Sequence, residues 1–219
     1  MAHCRLEAAS NLSQTVGCMD LPQPSPGKAQ VRREMRDALR RCSDRSLAQW
    51  SGQLIEQLKL KAADWPRGGV VALFGGLRSE PDLLGSFLPW LHTQGWQAAL
   101  FEVCDQQLKP RLIDDPSRCR RSSLGVWEPE TNATALELED LSVVLVPALA
   151  YSTRDGTRLG RGGGFYDRLL SQSGLQALRL GVAYELQLLP LVPAENHDHK
   201  VPEVITEAGG LRWPPSKGT

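Results

Sequence analysis

Residues 141–146, LSVVLV, constrain this chain more than any other stretch, because every residue but Ser142 is aliphatic. A strand with apolar side chains on both faces needs cover on both, which is the situation of strands inside a parallel sheet. Residues 69–74 (GVVALF), 96–103, 178–183 and 201–206 have a similar strand-like character. Helical spacing returns over 81–94, between the first two runs, and a short helix over about 165–171 precedes the run at 178. Strand, helix, strand order implies parallel pairing through crossover helices. The expected fold is therefore α/β, a single domain with a mainly parallel sheet and helices on both faces.

Two helices lead into this pattern. Residues 28–42 are highly charged, with Val31, Met35, Ala38 and Leu39 in a narrow apolar stripe. Ser43 or Asp44 can cap a second helix reaching about Ala63, whose apolar face carries Leu47, Trp50, Leu54, Ile55 and Leu58. Residues 1–27, which end in the breaker string PQPSPG, read as a mobile N-terminal extension, 28–206 as the domain, and 207–219 as a C-terminal tail. Between 106 and 136 the pattern is polar and irregular, so loops and a short hairpin are expected there.

Charge and cysteine usage narrow the function classes. Lys plus Arg and Asp plus Glu number 25 each, so no overall field gathers a nucleic acid or a membrane surface, and an anionic ligand has to be held by a local cluster. An odd count of cysteines, 5, without a CxxC pair points to reduced thiols and a cytoplasmic location. The run at 141–150 is well short of the roughly 20 residues that cross a bilayer, and residues 1–27 lack the layout of a secretory signal.

The most distinctive chemistry lies at 155–167, DGTRLGRGGGFYD. Gly160, Gly162, Gly163 and Gly164 let the backbone approach a ligand closely, and Arg158, Arg161 and the start of a helix stand beside them. The segment is either a polyphosphate cradle or a flexible turn, and the paired arginines favour the cradle, since flexibility needs no cations. It is not a dinucleotide fingerprint, because GxGxxG would require glycine at Phe165, and the Walker pattern GxxxxGK[ST] occurs nowhere. Lys28 and Arg32, one helical turn apart, form either a phosphate clamp or part of a solvated basic face with Arg33, Arg36 and Arg40. Glu80, after the 69–74 run, is either a helix-start carboxylate or an acceptor for a heterocycle's amino groups. Asp167 is either a Mg²⁺ ligand at the edge of the phosphate loop or, with Arg168, an ordinary first-turn residue of the helix, and Asp198 offers the second carboxylate that a hard cation would want. His197 and His199 flank Asp198, but they lack the further His or Cys that zinc usually takes. No GxSxG elbow is present, so any catalysis would rest on positioning and electrostatics.

The string VPALAYSTRDGTRLGRGGGFYDRLL, 146–170, resembles the signature of the 5-formyltetrahydrofolate cyclo-ligase family, also called methenyltetrahydrofolate synthetases. Lys28 and Arg32 match that family's K-x-x-x-R, Glu80 its carboxylate after the first strand, GVWEP at 125–129 its EP element, and Asp198 the aspartate before the last strand. The resemblance implies ATP binding by Lys28, Arg32, Arg158, Leu159, Gly160, Arg161, Gly162, Gly163, Gly164, Phe165 and Tyr166. It further implies folate contacts at Gly75, Glu80, Arg161 and Phe165, Mg²⁺ at Asp167 and Asp198, and catalytic roles for Arg161, Lys28 and Arg158. A fold similar to the sugar-phosphate isomerase and CoA-transferase group comes with it. Tyr151 and Ser152 stand where the family often has Phe-Asp, Phe165 where Tyr is common, and the strand ending LFEV (100–103) lacks a frequent proline. Losing a phenol at Phe165 removes one possible hydrogen bond and keeps a stacking surface.

The activity this implies is ATP- and Mg²⁺-dependent conversion of 5-formyltetrahydrofolate, with or without a polyglutamate tail, to 5,10-methenyltetrahydrofolate, with no nucleic acid or membrane partner. The competing readings are a non-catalytic relative that keeps the folate and nucleotide pocket, and a sugar-phosphate isomerase that needs no ATP. Replacing Arg161 or Asp167 by alanine is expected to reduce turnover greatly while leaving the fold intact.

Overall fold

The structure, a computed structural model, describes residues 27–195 and 198–213. The proposed extension at 1–26 and the tail beyond 213 lie outside the described residues, as does His197.

Helix α1, Lys28–Arg41, buries Val31, Met35 and Leu39, spaced four apart on one face, and ends on Arg40 and Arg41, which suit the negative end of its dipole. Helix α2, Asp44–Ala62, starts where Ser43 accepts a hydrogen bond from the Ser46 N–H at 3.0 Å, and its buried face carries Leu47, Leu54, Ile55 and Leu58. Strand β1 is Val70–Ala72. The helix expected over 81–94 divides into a wide turn at Leu83–Phe87 and helix α3, Leu88–Thr93. Pro89 explains the division: it has no N–H, and the Leu88 N–H reaches five residues back to the Leu83 carbonyl.

Strand β2, Gln97–Cys104, continues into β3, Gln107–Ile113, as an antiparallel hairpin. The 106–136 segment is thus not mainly loop, and a second hairpin follows in it, β4 (Cys119–Arg121) with β5 (Trp127–Pro129). Strand β3 was hidden by Pro110, which a central strand would not tolerate, and by a turn without glycine in which Asp105 and Gln106 both have positive φ. Strand β6 is Leu141–Pro147. The segment after it contains β7 (Ala150–Ser152) and β8 (Arg158–Leu159), which pair antiparallel. Helix α4, Phe165–Leu170, and strands β9 (Leu178–Val182), β10 (Leu188–Leu189) and β11 (Glu203–Thr206) follow. The tail expected from 207 is corrected by β12, Gly209–Arg212, which folds back antiparallel on β11. Its glycine pair reads as a breaker, yet Gly209 at φ +137 makes the reversal that starts the strand.

The main sheet has the order β12-β11-β9-β6-β1-β2-β3, with five parallel strands at its centre and an antiparallel strand at each edge. Side chains alternate between two cores. Val71, Leu73, Val143, Leu145, Leu180 and Ile205 pack with α1, α2 and α3, whereas Val70, Ala72, Val144, Val146 and Val204 pack with Leu169 and Leu170 of α4. Helices on both faces, and LSVVLV buried on both, are therefore as expected.

Candidate functional site

From β1 the chain moves to β2 on one side and later to β6 on the other, so the sheet's order reverses between β1 and β6. Loops leaving the carboxyl ends of two such strands diverge and leave a crevice, where ligands of open α/β sheets bind. A cavity of about 350 Å³ occupies this place, within the size range of small-molecule sites. Phe74, Gly75 and Glu80 line it from the β1 loop, and Arg158, Gly160, Arg161, Gly163, Gly164, Phe165 and Tyr166 from the glycine-rich segment. Its remaining wall is apolar, with Phe101, Val103 and Leu108 from the first hairpin and Leu124, Val126 and Trp127 from the second.

That second hairpin is tied down locally. Trp127 donates its N–H to the Gly75 carbonyl at 2.9 Å, and Arg121 Nη1 donates to the carbonyls of Gly76 and Gly125 while its guanidinium lies 4.6 Å over the Trp127 ring. Gly76 has φ +110, and a Cβ on it would lie 2.6 Å from the Trp127 nitrogen, so only glycine fits this close approach.

The charged half brings the basic pair of α1 to the glycine-rich segment. Lys28 Nζ lies 2.6 Å from Asp198 Oδ2 and 3.3 Å from Glu195 Oε2, and Arg32 Nε donates to the Gly160 carbonyl at 2.9 Å. Arg158 is 3 % exposed, paired through Nη2 with Asp167 Oδ1 at 2.6 Å and donating through Nη1 to the Pro147 carbonyl at 3.2 Å. Arg161 points toward the β1 loop, with Nη2 3.7 Å from Glu80 Oε1 and 3.3 Å from Ser79 Oγ. Burial raises the Glu80 carboxyl above its usual range, against the opposing pull of Arg161 and the Leu77 N–H, which donates to Glu80 Oε2 at 3.2 Å. Burial, Asp167, Arg179, Arg158 and Asp198 together shape His199, with burial dominant and its pKa lowered. The His199 carbonyl accepts from the Arg158 N–H at 3.4 Å, which brings the segment after Asp198 to the residue that pairs with Asp167.

One expectation is corrected here. Because Arg158 is buried, removing Asp167 strands a cation in the interior, and Asp167→Ala cannot be neutral to the fold. The departures from the family pattern also sort themselves. Tyr151 is fully buried, its hydroxyl donating to the Val146 carbonyl at 2.6 Å, and Ser152 is fully buried as well. Neither lines the cavity, whereas Phe165 does. Reading the sequence missed Arg36, which donates to the Arg161 carbonyl at 2.8 Å, Arg168, which bonds the Gly163 carbonyl at 2.9 Å and lies 5.1 Å over the Phe165 ring, and the aromatic wall of Phe101 and Trp127. The GVWEP string was a signal for Trp127, but no helical or strand periodicity marks the others as a group. Among the described residues no three His, Cys, Asp or Glu gather as a metal cage, and no helix is long and apolar enough to cross a membrane. Cys42, Cys104 and Cys119 are free thiols.

Known proteins resemble this chain in sequence and in fold. The 5-formyltetrahydrofolate cyclo-ligase of Mycolicibacterium smegmatis is 38% identical over 97 residues, which are 44% of this chain and 50% of that protein. The protein of the same name from Haemophilus influenzae is 36% identical over 89 residues, 40% of this chain and 46% of that one. The chain thus spans about half the length of the curated relatives it matches. The NMR structure of Aquifex aeolicus 5,10-methenyltetrahydrofolate synthetase superimposes with a TM-score of 0.72 at 24% identity, covering 88% of this chain and 95% of that one, and so shares the fold. The family model for 5-formyltetrahydrofolate cyclo-ligases matches residues 24–207, which takes in both basic helix positions, Glu80, the glycine-rich segment and Asp198. This chain belongs to the 5-formyltetrahydrofolate cyclo-ligase family.

Proposed function

We propose that the chain binds ATP and 5-formyltetrahydrofolate in the β1–β6 crevice and forms 5,10-methenyltetrahydrofolate, ADP and phosphate. The observation that carries this reading is the division of one cavity into an arginine-glycine half and an aromatic half, with Arg161 and Glu80 at 3.7 Å bridging them. A triphosphate suits the first half, and a planar heterocycle with amino groups suits the second, where Glu80 accepts hydrogen bonds and Trp127 and Phe101 offer apolar surface.

A formyl group on nitrogen is amide-like, so its carbon is a weak electrophile and its oxygen a poor leaving group. The formyl oxygen attacks the terminal phosphorus of ATP, and ADP leaves. The folate's neighbouring amine then attacks the activated carbon in the same molecule, loses its proton, and expels phosphate as the ring closes, a step favoured by proximity. In this scheme Lys28, Arg32 and Arg158 hold the phosphates or their surroundings, the backbone from Leu159 to Tyr166 cradles them, and Arg161 stands where the formyl oxygen meets the phosphorus. Gly75, Glu80 and Phe165 position the folate.

The chemistry of the donor set suits Mg²⁺: Asp167, paired with Arg158 of the glycine-rich segment, and Asp198, paired with Lys28, offer hard carboxylate oxygens, and the ion usually takes one or two of these with phosphate oxygens and waters. When bound, the ion would neutralise charge on the transferred phosphoryl group. Arg158 and Lys28, each 2.6 Å from one of these carboxylates, orient them. Formation of the methenyl chromophore by purified protein with 5-formyltetrahydrofolate and Mg²⁺ is expected only when ATP is present. No ATP-dependent absorbance change at adequate protein concentration would sink the proposal, and ligand binding without ADP release would establish a non-catalytic relative instead. Tyr151 and Ser152 are buried away from the cavity, which leaves the departure at Phe165, in the cavity wall, as the ground for that second outcome.

A further inference from the structure

A backbone that presents its N–H groups to a ligand turns its carbonyls elsewhere, and those carbonyls need donors. Around the glycine-rich segment the donors are three guanidinium groups from two helices. Arg32 Nε bonds the Gly160 carbonyl at 2.9 Å, Arg36 Nη2 the Arg161 carbonyl at 2.8 Å, and Arg168 Nη2 the Gly163 carbonyl at 2.9 Å. Arg168 also donates through Nε to the Gln106 carbonyl at 2.9 Å, fastening the segment to the β2–β3 turn. Among the described residues, the N–H groups of 160–164 donate to no backbone acceptor. Gly162 at φ +111 and Gly164 at φ +68 allow this shape but do not hold it, since glycine backbone is the least restrained of all. The restraint has to come from outside the segment.

We propose that Arg36 and Arg168 are positioning residues: they grip the outward carbonyls and so fix the amide groups of 160–164 for a triphosphate, without touching it themselves. The inference rests on the reading of this segment as the nucleotide cradle. Guanidinium suits the task because its planar fork can bond a carbonyl while remaining stacked or bonded elsewhere, as Arg168 is over Phe165. Arg36 has a second effect. Its positive charge opposes that of Arg161, whose guanidinium is turned toward Glu80. Fixing the cradle in advance lowers the ordering entropy that nucleotide binding would otherwise lose.

The test compares the full-length parent protein with Arg36→Ala, Arg168→Ala, Arg36→Lys, Arg168→Lys and, as a control at the exposed end of α1, Arg41→Ala. Amide hydrogen exchange of the 158–167 peptide is measured without ligand, and KM for ATP and for 5-formyltetrahydrofolate is measured with Mg²⁺. In Arg36→Ala, loop exchange should accelerate and KM for ATP rise about 5- to 10-fold, while kcat and the folate KM stay within about 2-fold. Arg168→Ala should raise both KM values, because Phe165 also loses its backing, and the lysine variants should recover part of each loss. Arg41→Ala should match the parent. Unchanged loop exchange and unchanged KM for ATP in both alanine variants would overturn the proposal, as would faster exchange spread evenly over the whole chain. A parent protein with no ATP-dependent turnover would overturn the functional reading instead, and loop exchange would still decide whether the arginines hold the segment.

Discussion

Arg161 Nη2 and Glu80 Oε1 lie 3.7 Å apart across the cavity, joining a residue of the phosphate cradle to one of the β1 loop. The contact crosses from one half of the proposed site to the other, and each partner answers to a different ligand. Arg161→Ala should therefore lower kcat about 10²- to 10³-fold, the size of losing one donor aimed at developing charge. Melting temperature should hardly move, since a partly exposed ion pair contributes little. Steady-state kinetics and a thermal melt on the same preparation check both statements.

Glu80 gives a pH signature. Burial raises its carboxyl from the ordinary 4.5, with Arg161 and the Leu77 N–H pulling the other way. A carboxyl raised in the fold favours folding below its unfolded value and loses that contribution as pH rises through the folded value. Glu80→Gln carries no such charge, so its melting temperature relative to the parent should increase with pH over the window above about pH 4.5. A constant difference across that window would refute the assignment. The same variant should raise the folate KM by about 10-fold or more, because an amide replaces a charged acceptor.

Asp167 and Arg158 should separate under substitution. With Arg158 3 % exposed, Asp167→Ala should cost about 3–5 kcal/mol of stability, measured by denaturant unfolding, whereas Asp167→Asn keeps an acceptor and costs less. Both should weaken Mg²⁺ dependence, seen as a higher metal concentration for half-maximal turnover.

Gly76→Ala tests the hairpin over the cavity. Its φ of +110 and the 2.6 Å approach to the Trp127 nitrogen leave no room for a methyl group, so destabilisation of about 1–3 kcal/mol and a changed Trp fluorescence spectrum are expected. The folate KM should rise more than the KM for ATP, because Trp127 belongs to the aromatic wall.

Much of the architecture was legible because apolar runs such as LSVVLV have one physical solution, a strand covered on both faces. The caps were legible too, since Ser43 bonds the Ser46 N–H as its position suggests. What escaped was set by partners distant in sequence. Strand β3 depends on pairing Phe101 with Pro110, and β12 on a Gly-Gly reversal, neither of which local propensity rewards. At the site, Lys28, Arg32, Glu80 and the glycine string were marked by residue type and by family likeness. Arg36 and Arg168 carried no such mark, because an arginine that bonds a carbonyl 125 or 5 residues away looks the same in sequence as one facing water.

The shortness of β1 has a consequence for how the molecule reaches its working form. Its three residues pair with β2 on one side and, on the other, with β6, where Val71 meets Val143. That second pairing closes a long loop, which is the slow kind of event in folding. The crevice lies between the loops after β1 and β6, so it cannot exist before that closure. During refolding, helical signal should return ahead of nucleotide binding, and ATP added early should leave the first phase unchanged while it stabilises only the species that has completed the sheet.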